Sequence, residues 1–249
     1  MRASHSQGES NALKLLVGGI IPENWKSFLL ANFLTVLGTL PFALGMTAAM
    51  LTHSLVVLVP ACLLGGACLG PALSGMVDCI LRSLRHCQDD WWSSYRRAWK
   101  QNWRDSLMPG MVLCLFVGFL LFMGLQLFWT QGVLPLGTAL CCLVSALIAA
   151  IVFSVFWPQL VLFRQSQISR LRNCVVFFFS NFFRCLAAGL LQVAWWVLML
   201  ILYPGSLLLV VFLGFWLVLS WTYKLLYPAL NRVFQIEERI AEEFPDQCE

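Results

Sequence analysis

Few residues of this chain combine a strongly polar side chain with a place inside its long apolar stretches. Asp78 and the amides Asn32, Gln126, Gln159 and Gln192 are the ones that do. A carboxylate in such a setting points to proton or ion relay, and amides point to a polar but uncharged solute. Asp78, however, lies four residues before Arg82 at the end of its apolar stretch, so an i, i+4 ion pair explains it without transport. Hydrogen bonds between helices explain the amides. Asn32 and Gln192 are kept as the first candidates to line a path for a neutral solute such as a sugar. Proton-coupled transport is disfavoured.

Nothing else in the chain points to catalysis or metal binding. The three histidines, His5, His53 and His86, are too scattered to make a site. Of the ten cysteines, Cys62, Cys68, Cys114, Cys141, Cys142 and Cys185 lie inside apolar runs, and no pair has metal-ligand spacing beside a histidine. They read as small buried side chains rather than a redox or disulfide framework. There is no Gly-rich phosphate loop, no H-E-x-x-H and no carboxylate pair in the apolar runs. The expectation is a protein that is not an enzyme and holds no cofactor or metal.

The elements that must position these residues are set by where charge is missing. Residues 27–77, 106–163 and 185–223 contain no Asp, Glu, Lys or Arg. Each run is long enough for two membrane crossings, at roughly 20 apolar residues per crossing. Sixty per cent hydrophobic and 11% charged residues exclude a soluble globular domain, where about a quarter of residues are charged. The net charge of +4 sits beside the apolar runs, which suits lipid headgroups and not nucleic acid.

The pattern predicts an all-α membrane protein with six transmembrane helices, near 27–46, 55–77, 108–129, 134–157, 185–202 and 205–227. A re-entrant hairpin over 185–227 is the alternative to the last two crossings. The connectors near 47–54, 130–133 and 203–204 carry no basic residue, whereas all sixteen Lys and Arg lie in the other four segments. Basic flanks stay on the cytoplasmic side, so both termini are expected inside. Three regions follow: an N-terminal cytoplasmic or interfacial segment, 1–26, with a short apolar stretch Leu13 to Ile21; a membrane domain, 27–227; and an acidic cytoplasmic tail, 228–249.

Two amphipathic segments are expected to lie along the inner membrane surface, at about 89–107 and 165–184. In the first, Trp92, Tyr95, Trp99 and Trp103 follow steps of three, four and four, which places them on one helical face. Arg96, Arg97, Lys100 and Arg104 supply the polar side, and Asn102 lies among them. Such a face serves as an interfacial anchor or a partner-docking ridge. In the second, Ile168, Leu171, Val175, Phe178 and Phe182 form the stripe, flanked by Arg170, Arg172 and Arg184. At an offset of 79 residues, Asn102, Trp103, Leu107 and Gly110 match Asn181, Phe182, Leu186 and Gly189, a faint echo of duplication. Gly66, Gly70 and Ser74 recur every four residues on the second span, a smooth face for close helix contact within one chain or with a second copy. In the tail, Val233, Ile236, Ile240 and Phe244 make a short apolar stripe opposite glutamates.

Asn32-Phe33-Leu34-Thr35-Val36-Leu37-Gly38-Thr39-Leu40-Pro41 and Gly70-Pro71-Ala72-Leu73-Ser74-Gly75-Met76 resemble, in turn, the first span and the small-residue span of the YesL-like family of bacterial membrane proteins. Tyr95 to Ser106, with Trp99, Lys100 and Asn102, resembles its aromatic-Lys-x-Asn signature, and Arg164 to Arg184 its second basic helix. The extra apolar stretch near 46–68 departs from the pattern. The resemblance implies a bacterial cytoplasmic membrane protein found alongside ATP-driven carbohydrate-uptake systems, and no activity of its own. The expected function is an accessory or scaffold protein for permease subunits of a sugar-uptake transporter. The alternative is an autonomous transporter or channel for a small neutral solute.

Overall fold

The computed structural model describes residues 25–85, 90–133 and 135–236. The stretch Leu13 to Ile21 and all but the beginning of the tail lie outside them. Among the described residues the chain is helical, with no strand. The helices are α1 (Trp25–Thr52), α2 (Leu55–Leu84), α3 (Trp91–Gln131), α4 (Leu136–Leu162), α5 (Gln167–Ser180) and α6 (Phe182–Ile201). The last span is α7 (Ser206–Leu209), a π-helical turn (Val210–Gly214) and α8 (Phe215–Phe234). Six helical stretches are long and apolar enough to cross a membrane, and residues 182–234 supply two of them. Large apolar side chains such as Val56, Leu64, Leu136 and Ile201 stand exposed, as lipid-facing surfaces require.

Local chemistry explains the boundaries. His53 takes φ 50° to close the hairpin between α1 and α2. The Asp90 carboxylate accepts from Ser93 N at 3.0 Å and so caps the start of α3. Gly132, at φ 72°, ends α3 and returns its N–H to Phe128 O at 2.8 Å. The Ser166 hydroxyl caps α5 by accepting from Ser169 N.

Several helices run past their expected ends, α1 to Thr52 and α2 to Leu84 among them, and two differences change the architecture. The basic stretch expected at 89–107 is not a separate helix: from Trp91 on it is the first part of α3, which runs unbroken for 41 residues. Charge ends at residue 105, but the helix does not, and Pro109 is accommodated inside it. At about 1.5 Å per residue the rod is about 60 Å long, twice a hydrocarbon core of about 30 Å. The last span also runs through Pro228 to Phe234 rather than stopping at 227, because Leu226, Ala229 and Leu230 on either side are buried.

At the centre is α2, in contact with α1, α3, α4 and α8. Every residue from Leu69 to Leu81 is buried. The small-residue face makes this possible. A methyl on Gly66 would collide with the backbone of Gly110 and Met111, and one on Gly70 with the Ser106 carbonyl. In return, Gly110 faces the Gly66 carbonyl. Ser74 is fully buried and bonds back to Gly70 O at 3.0 Å. Gly66 and Gly70 therefore lie within the α2–α3 contact of one chain. Gly70→Ala is expected to lower stability by about 1–3 kcal/mol through overpacking against backbone that has no room to yield. Gly124→Ala, where a methyl meets nothing within 4 Å, should leave the unfolding temperature in detergent unchanged or raised. Equal behaviour of the two variants would refute the packing argument.

Candidate functional site

The first half of α3 divides the expected aromatic stripe. Tyr95 turns inward and is 5% exposed. Its ring fills the notch left by the missing side chain of Gly75, and its hydroxyl reaches Ala72 O at 3.5 Å. Trp92, Trp99 and Trp103 remain exposed, with Arg96 and Lys100 exposed between them. Arg104 stacks over Trp103 at 5.7 Å. Arg97 and Asn102 are half-buried, and Arg97 is engaged by the protein itself. The surface is thus three indoles and three cations on one helix, held by the antiparallel contact with α2.

Asn32 has a different setting. It is fully buried, and its side chain lies against the π turn of the last span. Its amide nitrogen donates to Val210 O at 3.1 Å and to Val211 O at 2.6 Å. Its oxygen accepts from Phe215 N at 2.9 Å and Trp216 N at 3.3 Å. Two donors and two acceptor positions are all an asparagine side chain has. Neighbouring indoles satisfy two more carbonyls of the same turn. Trp216 Nε1 donates to Phe212 O at 2.7 Å, and Trp195 Nε1 to Gly214 O at 3.0 Å. Gln192 is also buried; it donates to Ser154 Oγ at 2.7 Å and reaches Thr222 Oγ1 at 3.5 Å, joining α6 to α4 and α8. Asn32 and Gln192 thus both bind the last span, Asn32 at residues 210–216 and Gln192 at Thr222.

Asp78 and Arg82 form the expected i, i+4 ion pair at 2.8 Å. A second ion pair had no sequence signal. Arg170, on α5, is 1% exposed, and its Nη2 bonds Asp105 Oδ2 at 3.0 Å and Phe163 O at 3.2 Å. Gln167 Nε2 donates to the Asp105 main-chain carbonyl at 2.9 Å. Pro109, four residues on, has no N–H to offer that carbonyl. So α5 docks where the proline leaves α3 an open acceptor. Phe177 stacks on Phe234 at 5.9 Å, and Gln159 Nε2 reaches Cys174 Sγ at 3.5 Å, which holds the same face of α5 to α8 and α4. The inward face of α5 is therefore Arg170, Cys174 and Phe177. Of the expected stripe, Phe178 is half-buried, and Ile168, Leu171, Val175 and Phe182 point outward.

No protein-family model, curated protein or solved structure matches this chain. The likeness to the YesL-like family rests on the quoted motifs alone. Among the described residues no three His, Cys, Asp or Glu side chains converge as a metal site would require.

Two predictions follow from these bonds. Asn32→Leu removes four side-chain bonds to the backbone of the last span in an apolar setting, at about 1–3 kcal/mol for a buried group that loses its partner. The variant should unfold well below the wild type in detergent, and Asn32→Ala should behave alike; a wild-type melting curve would refute the clamp. Burial pushes the Cys174 thiol up to about 12, partly offset by the Gln159 amide. At pH 8 it stays protonated, so it should resist maleimide in a variant retaining only this cysteine. Asp105→Ala, which leaves the Arg170 cation without its partner, should release α5 and raise the labelling rate at least tenfold. An unchanged rate would show that α5 is held without the ion pair.

Proposed function

We propose that this chain is a multi-pass membrane scaffold with both termini on the cytoplasmic side, whose α3 face of Trp92, Arg96, Trp99, Lys100 and Trp103 docks a partner. The observation that carries this reading is a contrast in bonding. Inside the spans, Asn32 and Gln192 are joined to neighbouring helices. At the basic end of α3, by contrast, large aromatic and cationic side chains stand exposed on a rigid support. Trp and Arg with room to pack are the side chains that dominate protein contacts. The charge asymmetry of the loops supports the orientation. The resemblance in the spans and basic helices supports a bacterial cytoplasmic membrane and, as partner, a permease subunit of a carbohydrate-uptake transporter.

The bonding of Asn32 and Gln192 lends no support to a solute path. It also means that loss of flux on replacing Asn32 would report unfolding as readily as a blocked path.

The test is affinity purification of the tagged protein from native membranes in mild detergent, followed by mass spectrometry. A sugar-transporter permease should co-purify in near-equal amounts. Charge reversal of Arg96 and Lys100 together should abolish recovery while leaving the melting temperature intact, since both side chains are exposed. Recovery of the intact protein alone would overturn the scaffold reading and direct attention to flux assays in liposomes.

A further inference from the structure

The polarity of α5 is the reverse of what water would select. Its inward face carries a buried arginine, Arg170, while Ile168 is 80% exposed and Phe179 75% exposed. Leu171, Val175 and Val176 extend the same outward side. The apolar surface continues without a break into the first turn of α6, where Phe183 is 83% exposed, and from there onto the span itself. Three arginines accompany it, with Arg172 among the apolar side chains themselves. Arg164 precedes α5, Arg172 lies on it and Arg184 follows it, all exposed and none with an ion-pair or hydrogen-bond partner among the described residues. An amphipathic helix that turns its apolar side away from the protein and continues into a span has hydrocarbon beside it. Arginines at that level meet headgroups, and their planar fork suits phosphate oxygens.

We propose that α5 and the first turn of α6 form a binding surface for anionic phospholipid, with Ile168, Val175 and Phe179 among the acyl chains and Arg164, Arg172 and Arg184 on the headgroup phosphates. The leaflet rests on the proposed orientation, which makes it the cytoplasmic one. The lipid contact itself follows from the exposed face and does not depend on that orientation. The Arg170–Asp105 bond keeps the remaining arginine of the helix turned inward, so that the apolar side is the one presented.

The experiment uses the full chain in nanodiscs. A nitroxide on V175C, in a cysteine-free background, should collide more often with oxygen than with a water-soluble nickel chelate. Preferential collision with the chelate would put the face in water and overturn the proposal. Shielding from both would mean that protein covers it, which overturns it equally. In detergent, added phosphatidylglycerol should raise the unfolding temperature by several degrees more than phosphatidylcholine does. That difference should disappear in R164Q/R172Q/R184Q and in high salt, and inorganic phosphate should not reproduce it. A difference that survives the triple substitution would remove the arginines from the site. Membrane-impermeant labelling of S93C and V133C tests the orientation separately. Reagent reaching Ser93 from outside would move the lipid site to the other leaflet and would overturn the proposed orientation alone.

Discussion

A π-helical turn in the last span, Val210–Gly214, is the constraint around which much of this fold is arranged. In hydrocarbon there is no water to satisfy an open carbonyl or N–H, so a span can depart from the α-helix only where protein groups complete the bonding. Between Val210 and Trp216, Asn32 from the first span adds four side-chain bonds to the backbone, and the indoles of Trp195 and Trp216 add two more. The first, fifth and sixth spans are thereby tied together at one point. The same logic recurs at Pro109, where Gln167 takes the Asp105 carbonyl that the proline leaves open. Irregular backbone and polar side chains occur in pairs, each accounting for the other.

Elsewhere cohesion comes from close approach. Lipid tails are as apolar as leucine, so helices associate through packing rather than through escape from water. The glycines of α2 and Gly110 of α3 let the two backbones touch, and Tyr95 fills the hollow beside Gly75. That contact determines which aromatic side chains of α3 remain outside. The exposed indoles are those that α2 has no space to receive.

Much of the architecture was legible from charge alone. The gaps in Lys, Arg, Asp and Glu located six apolar helices, though not all of their ends, because a charge is expensive in lipid and its absence is therefore informative. Four things were not legible. Periodicity identified an apolar side of α5 but not its direction, since Ile168 and Val175 look alike whether they face protein or lipid. Charge suggested a boundary before residue 108, but helix continuity depends on the backbone, and α3 runs on through Pro109. Asn32 stood out as a polar residue in a span, yet its role required the Val210–Gly214 turn, nearly 180 positions away, which nothing in the local sequence marks. Asp105 and Arg170 were likewise invisible as a pair, being 65 residues apart.

The continuity of α3 has a mechanical consequence. A continuous helix is a lever, whereas α5 and α6 are articulated at Asn181, where the backbone leaves helical geometry with φ −134° and ψ 41°. A tilt of about 10° about one end of a rod of about 60 Å would sweep its other end through about 10 Å. A displacement applied at Trp92 would therefore be passed along α3 toward Gln126 and its hydrogen bond with His53 at the opposite end. The junction at Asn181 would instead absorb such a movement of α5.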